Sequence, residues 1–455
     1  MKKLLCLLLI LSFLFTLVSC DFSQSKINGV SLSKYSIVYS DEDYDYSRRA
    51  AEYIQSEIKT RTGVDLPLVE DSEDPKTQYE IVVGNTERAI SERLDANTEG
   101  LEFAILAEDK QIALEGDYFV IAAAAYYFVE TYVPSADYSA TIPEGVTIHE
   151  PIVKPAKNYI MLIGDGMGEF QTKMFEYLDN DIEYGDGEDI FYGYYLPYIG
   201  WSQTRSLSGV TDSAAGGTAL SSGYKTMNNY VGRDKDLNDV KLITELATEL
   251  GMSAGVMSTE VKTGATPASF SAHADTRHSS AGIILTQATA IDVYGIQIDC
   301  NFDYYTPGGI GMLEDSVNEM LDNLSANEKG FFLMYEEAHT DKHSHNNDMD
   351  KAFQAMVRFN QAIGVFMEFV FYNPDTFILI TADHETGNLF PNDKGELEYH
   401  STEHSGRNVP IFAYGDGSEL FNDVTIQNIQ IPQTITSFMG VYDFGDQSEY
   451  HYLGK

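Results

Sequence analysis

Short apolar runs recurring between helical stretches constrain this chain more than any other feature. From about Lys157 onward, Tyr159–Ile163, Ala254–Met257, Phe331–Met334, Phe377–Thr381 and Pro410–Tyr414 are each compact and apolar. Most are followed by glycine or polar residues and then by a helical pattern. Strands apolar on both faces must be covered on both faces. The alternation therefore predicts a mostly parallel sheet between two layers of helices, a three-layer α/β/α sandwich over residues 157–455. In such sheets chemistry collects at the carboxyl ends of the strands.

A smaller α/β domain is predicted ahead of it, over residues 34–150. Tyr35 to Tyr39 reads as a strand and Asp45 to Thr62 as an amphipathic helix stopping at Gly63. Strands at Tyr79–Val83, Leu101–Ala107 and Gln111–Glu115 follow, then a helix rich in Ala and Tyr from about Tyr118 to Tyr132. The pattern resembles the non-catalytic domains that precede the catalytic barrels of some glycoside hydrolases. A proline-punctuated linker, Pro143 to Pro155, is expected to lead onward.

Lys2 and Lys3 precede an apolar run from Leu4 to Val18, which reads as a secretory signal over residues 1–19. Its end, Leu17-Val18-Ser19-Cys20, resembles the lipobox of bacterial lipoproteins. Lipidation of Cys20 is expected, with residues 20–33 as a polar tether and a membrane-anchored, extracytoplasmic location, periplasmic or at the cell surface. Cleavage would remove Cys6, and a lipidated Cys20 would leave Cys300 as a buried structural thiol with no intrachain disulfide partner. The formal net charge of −41, from 29 Lys and Arg against 70 Asp and Glu, repels polyanions. Nucleic acid is excluded as a partner on that ground. An anionic substrate needs local positive charge, which metal ions would provide.

Ligand-type residues cluster beside the predicted strands. Asp165 follows the first, within Ile163-Gly164-Asp165-Gly166-Met167-Gly168. Glu336, Asp341 and His345 follow Tyr335, Asp383 and His384 follow Ala382, and His404 lies in the loop before Pro410. Carboxylates mixed with imidazoles suit zinc, and all-oxygen sets suit magnesium. Three clusters follow strands expected to end on one edge of one sheet. His339, His343 and His400 are expected to stand outside the ligand set. The stretch from Val210 to Ala219 adds a serine, Ser213, opening a predicted helix that runs to about Ser221. The free N–H groups and dipole there favour negative charge, as an oxyanion requires, although Asp and Ser are also common helix caps.

In order, Gly-Asp-Gly-Met-Gly, Thr-Asp-Ser-Ala-Ala, Thr-Pro-Ala with Arg277 eleven residues after Thr266, Glu336 with Asp341 and His345, Thr-Ala-Asp-His and His-Ser-Gly resemble the alkaline phosphatases, from about Asn158 to about Gly440. The resemblance implies a phosphate monoester hydrolase acting through a phosphoserine on Ser213. Asp165, Asp383 and His384 would hold one zinc, and Asp341, His345 and His404 a second. Asp165, Thr266 and Glu336 would hold a magnesium, and Arg277 would fork onto the phosphate. Two residues before Thr266, relatives usually carry Asp or His. Gly264 stands here, implying weaker magnesium binding or a water in the vacancy. Insertions that form extra subdomains in larger relatives are not evident, which leaves a homodimer open. The alternative readings are a phosphodiesterase of the same superfamily, or a surface binding lipoprotein with a non-catalytic phosphatase-like domain. A sulfatase would show Cys or Ser in a Cys/Ser-x-Pro-x-Arg context, which is not found.

Overall fold

The computed structural model describes residues 25–40, 45–72, 76–94, 98–133, 135–178, 190–301 and 309–454, with the backbone alone for 309–312. The signal and Cys20 lie outside the described residues. The chain divides into two compact units, Met1–Pro151 and Ile152–Lys455.

The first unit is built on a six-stranded sheet in the order Leu68–Glu70, Ser36–Tyr39, Glu80–Val83, Gln111–Glu115, Phe103–Glu108, Gly145–His149. The first four strands run parallel, and Phe103–Glu108 is antiparallel to both its neighbours. Helices Tyr46–Thr62 and Val120–Tyr132 pack on each other and on the sheet. Two expectations change here. Of the predicted tether, Ser25 onward is folded: Lys26–Ile27 pairs with Val30–Ser31 and with Ser139–Ala140, and Ile27 and Leu32 are fully buried. The predicted linker contains the strand Gly145–His149. Its Val146 and Ile148 are exposed, so its alternation marks no buried face and it reads as a loop between prolines.

The second unit holds an eight-stranded sheet. Its order is Gln297–Cys300, Ser253–Ser258, Phe331–Glu337, Asn158–Gly164, Thr376–Thr381, Val409–Tyr414, Tyr198–Gln203, Thr425–Gln427. Only Val409–Tyr414 runs against the rest. Alternate side chains serve the two faces. Tyr159, Met161, Phe332, Met334, Phe377 and Leu379 join one core with Ile243, Leu246, Ile431 and Ile435 of the helices on that side. From the other parity, Tyr335 stacks on Phe359 and meets Phe366 edge-on, both from the long helix Met349–Tyr372. Each such fully buried side chain is worth about 1.5–3 kcal/mol over its exposed state. The α/β/α sandwich is thus observed. The three strands absent from the sequence reading lie toward the sheet's ends and are short or only half-buried. Cys300, on one of them, is half-buried, and burial pushes its thiol pKa up. No helix among the described residues is long and apolar enough to cross a membrane.

Candidate active site

Three central parallel strands, Asn158–Gly164, Phe331–Glu337 and Thr376–Thr381, are neighbours and end at one edge. The antiparallel strand Val409–Tyr414 begins at that edge, so the loop before it also arrives there. Asp165 follows the first strand, and its N–H donates to the Glu337 carbonyl at 3.0 Å. The chain then turns through Gly166 at φ +74°, where a Cβ would lie 2.8 Å from the Asp341 Cα, so only glycine fits. Asp341 lies in the short helix His339–Ser344 and His345 caps its end, four residues on and on the same face. Two-residue strands, Glu385–Thr386 and His404–Ser405, pair antiparallel and set His404 opposite Thr386.

These elements bring the predicted ligands into two groups. In one, Asp341 Oδ1 lies 3.4 Å from both His345 Nε2 and His404 Nε2, and the two Nε2 atoms are 3.0 Å apart. The Nδ1 of His345 sits 2.5 Å from the Thr402 carbonyl and that of His404 2.8 Å from the Thr211 carbonyl. A carbonyl only accepts, so Nδ1 carries a proton in both rings, and neutral rings turn bare Nε2 lone pairs on each other. Two lone pairs at that distance repel unless a cation lies between them. In the other group, His384 Nε2 lies 3.3 Å from Asp383 Oδ2 and 3.5 Å from Asp165 Oδ1. Asp383 Oδ1 accepts from the N–H groups of His384 and Gly166, which leaves Oδ2 bare.

Burial first, then the charge of Asp383, pushes the Asp165 pKa well up; burial, then Asp341, pushes Asp383 up to about 7. Glu336 rises to about 8 through burial and the charge of Glu260. His384 is held well below its usual range by burial and by His404. Burial opposes ionisation of Asp341, but in the metal-free chain a protonated His404, donating through Nε2, and the surrounding imidazoles hold it below the carboxylate range. Asp165 Oδ1, Asp383 Oδ2, Glu336 Oε1 and Thr266 Oγ1 are buried with no hydrogen-bond partner. Such atoms normally have one, so the donor set fits bound cations. A pH consequence follows. Where the folded pKa exceeds the unfolded one, the folded chain holds a proton that the unfolded chain has released. Between the usual 4.5 and about 8, Glu336 therefore contributes stability to the metal-free chain that is lost as pH rises. The Tm of the metal-stripped protein is expected to fall across that window. Saturating divalent metal is expected to remove the fall, because a cation then replaces the protons; a flat metal-free profile would contradict it.

Ser213 is the first residue of the helix Ser213–Ser222 and is 3% exposed. Asp212 is the cap, its Oδ1 accepting from the Ala215 N–H at 3.0 Å, so the serine hydroxyl is not used for capping. Ser213 Oγ lies 3.2 Å from His384 Nε2. The other Asp212 oxygen accepts from the Asn229 N–H at 3.0 Å and from Arg277 Nη1 at 3.4 Å, which ties the guanidinium to the residue before Ser213. Ser213, Arg277, Asp341, His345 and His404 line one cavity of about 440 Å³. Thr266, fully buried on the short helix Ala265–Ser269, and Glu336 lie beside the strand Ser253–Ser258. The vacancy expected at Gly264 is absent, because the Glu260 carboxylate fills it.

His339 hydrogen-bonds Glu337 and Thr259, and His400 stacks on Phe390 at 3.6 Å. Neither belongs to the two groups, nor does His343. Thr386 is a functional candidate that the sequence reading lacks. Its hydroxyl donates to Asp341 Oδ1 and accepts from His384 Nδ1 at 3.2 Å, so one side chain sets the tautomer in one group and the carboxylate of the other. A lone threonine two residues after His384 carries no signal in sequence. Thr386→Val, close to isosteric, is expected to lower kcat about 10- to 100-fold with an unchanged melting curve. A variant with full activity would show that the bridge is dispensable.

A family model described as alkaline phosphatase matches residues 156–298 and 294–394, which leaves His404 and the whole first unit outside the match. Alkaline phosphatase 3 of Bacillus subtilis is 30% identical over 285 residues, covering 51% of this chain and 61% of that relative. The chain thus spans less than two thirds of that curated relative. Among solved structures, the alkaline phosphatase of the Antarctic bacterium TAB5 is 26% identical at a TM-score of 0.55, covering 63% of this chain and 99% of that one. A variant of the same Antarctic enzyme, 25% identical at a TM-score of 0.54 over 64% of this chain and 99% of its own, carries magnesium in its M3 site.

Proposed function

The chain belongs to the alkaline phosphatase family, and from that premise we propose that it hydrolyses phosphate monoesters through a phosphoserine formed on Ser213. The single observation that carries the reading is Ser213 Oγ, 3.2 Å from His384 Nε2, in a cavity shared with Arg277 and the Asp341 group. Asp165, Asp383 and His384 would hold one zinc, Asp341, His345 and His404 a second, and Asp165, Thr266 and Glu336 a magnesium. When bound, these metals would supply positive charge to the entering and leaving oxygens and lower the pKa of nearby hydroxyls.

The chain's own groups do the rest. Arg277 presents a planar fork to two non-bridging phosphate oxygens, a match that lysine cannot make. Asp212, the residue before the serine, holds that fork while capping the helix. The helix N-terminus favours the negative charge that develops on Ser213 and on the transferred phosphoryl group. Ser213 Oγ forms the new P–O bond as the alcohol leaves, and water then cleaves the phosphoserine, releasing inorganic phosphate and restoring the hydroxyl. The signal and Cys20 would place this activity outside the cytoplasm on a lipid anchor.

The test sets p-nitrophenyl phosphate against bis-p-nitrophenyl phosphate, with native protein beside Arg277→Ala. Preference for the monoester is expected. The variant should lose about 1.5–3 kcal/mol in kcat/KM, the range for hydrogen bonds to charged groups. A diester preference that survives the substitution would point to the phosphodiesterase reading.

A further inference from the structure

Gly264 caps the helix that carries Thr266, and the space beside it is taken. An ideal Cβ on Gly264 would lie 2.6 Å from the Glu260 Cδ and closer still to its Oε2. A side chain there would have to displace the Glu260 carboxylate. Glu260 follows the strand Ser253–Ser258 at the sheet edge that carries the site. Its N–H donates to Ser258 Oγ at 2.9 Å, and Ser258 Oγ donates to Glu336 Oε2. Its own side chain is 22% exposed, and the carboxylate pairs through Oε1 with Lys342 Nζ at 2.9 Å. Lys342 is the residue after Asp341, so the pair joins the loop after Ser253–Ser258 to the short helix His339–Ser344.

Within this neighbourhood two oxygens of fully buried side chains, Glu336 Oε1 and Thr266 Oγ1, have no hydrogen-bond partner. Oxygen atoms arranged in this way suit a hard cation that keeps several waters, as magnesium does. A carboxylate beyond the direct ligands then orients those waters.

We propose that Glu260 is the supporting carboxylate of the magnesium position, standing where a side chain at 264 would otherwise reach, with Lys342 holding it in place. The inference rests on the magnesium reading given above. Glu260 is a positioning residue, acting through Glu336, Thr266 and the metal's waters. Gly264 is then a requirement and not a loss, since a larger residue there would displace the carboxylate.

The experiment is calorimetric titration of magnesium into the zinc-loaded full chain, in the native protein, Glu260→Gln, Glu260→Ala, Gly264→Asp and the double variant Glu260→Ala/Gly264→Asp. Zinc content and melting curves are followed alongside. The expected result is a 10-fold or greater weakening in Glu260→Gln with zinc unchanged, within the range for residues that orient metal ligands. Gly264→Asp alone should not tighten binding, and the double variant should recover most of what Glu260→Ala loses. Native affinity in Glu260→Gln, or tighter binding in Gly264→Asp alone, would overturn the inference and leave the magnesium reading standing. A native protein that takes up zinc but no magnesium would overturn both.

Discussion

Ser213→Ala is expected to lower kcat/KM for p-nitrophenyl phosphate by about 10³-fold or more, which corresponds to about 4 kcal/mol of transition-state stabilisation. The substitution removes one oxygen and little else. Asp212, not Ser213, caps the helix, so no capping bond is lost, and alanine is a good helix former. The hydroxyl's partner in the structure is His384 Nε2 at 3.2 Å, an atom turned toward the Asp165 and Asp383 carboxylates and not toward the core. Activity should therefore collapse while the melting curve and metal content hold. A variant that unfolds at lower temperature and loses activity in proportion would assign Ser213 a structural role instead.

Asp341→Asn carries the second largest expected effect. Asparagine keeps the shape and retains an oxygen to accept the Thr386 hydroxyl, so the change removes charge and little packing. That charge is what Asp341 Oδ1 sets against the two bare imidazole nitrogens, each 3.4 Å away. Without it, a cation between His345 and His404 loses its one anionic ligand. The expected result is loss of one metal equivalent per chain by elemental analysis, with the Asp165, Asp383 and His384 group still occupied. Turnover should fall by about 10²-fold or more, about 3 kcal/mol. Full metal content with full activity would contradict the assignment of this group.

The sheet was legible where its strands are central. A strand buried on both faces is apolar throughout, and Asn158–Gly164, Phe331–Glu337 and Thr376–Thr381 are of that kind. Tyr198–Gln203, with glycine and serine inside it, and Gln297–Cys300, half-buried along its length, lack that mark. Gly145–His149 fails for a related reason, because its apolar residues face solvent. The ligands were legible because they follow strands whose direction could be inferred. His404 reaches them from a strand of opposite direction, whose beginning lies where the others end. The contributions of Thr386 and Glu260 were not legible. Each depends on where a side chain lies relative to a residue on another loop, and neither spacing nor residue type encodes that.

The central claim, that phosphate passes through Ser213, is tested most directly by acid quenching. Metal-stripped residues 21–455, restored with zinc and magnesium, would be mixed with excess p-nitrophenyl phosphate, quenched in acid and mapped by peptide mass spectrometry. The account expects phosphate on the peptide bearing Ser213, at that residue, and none in Ser213→Ala. Rapid turnover with Ser213 unmodified, in the native protein or in an equally active alanine variant, would contradict it.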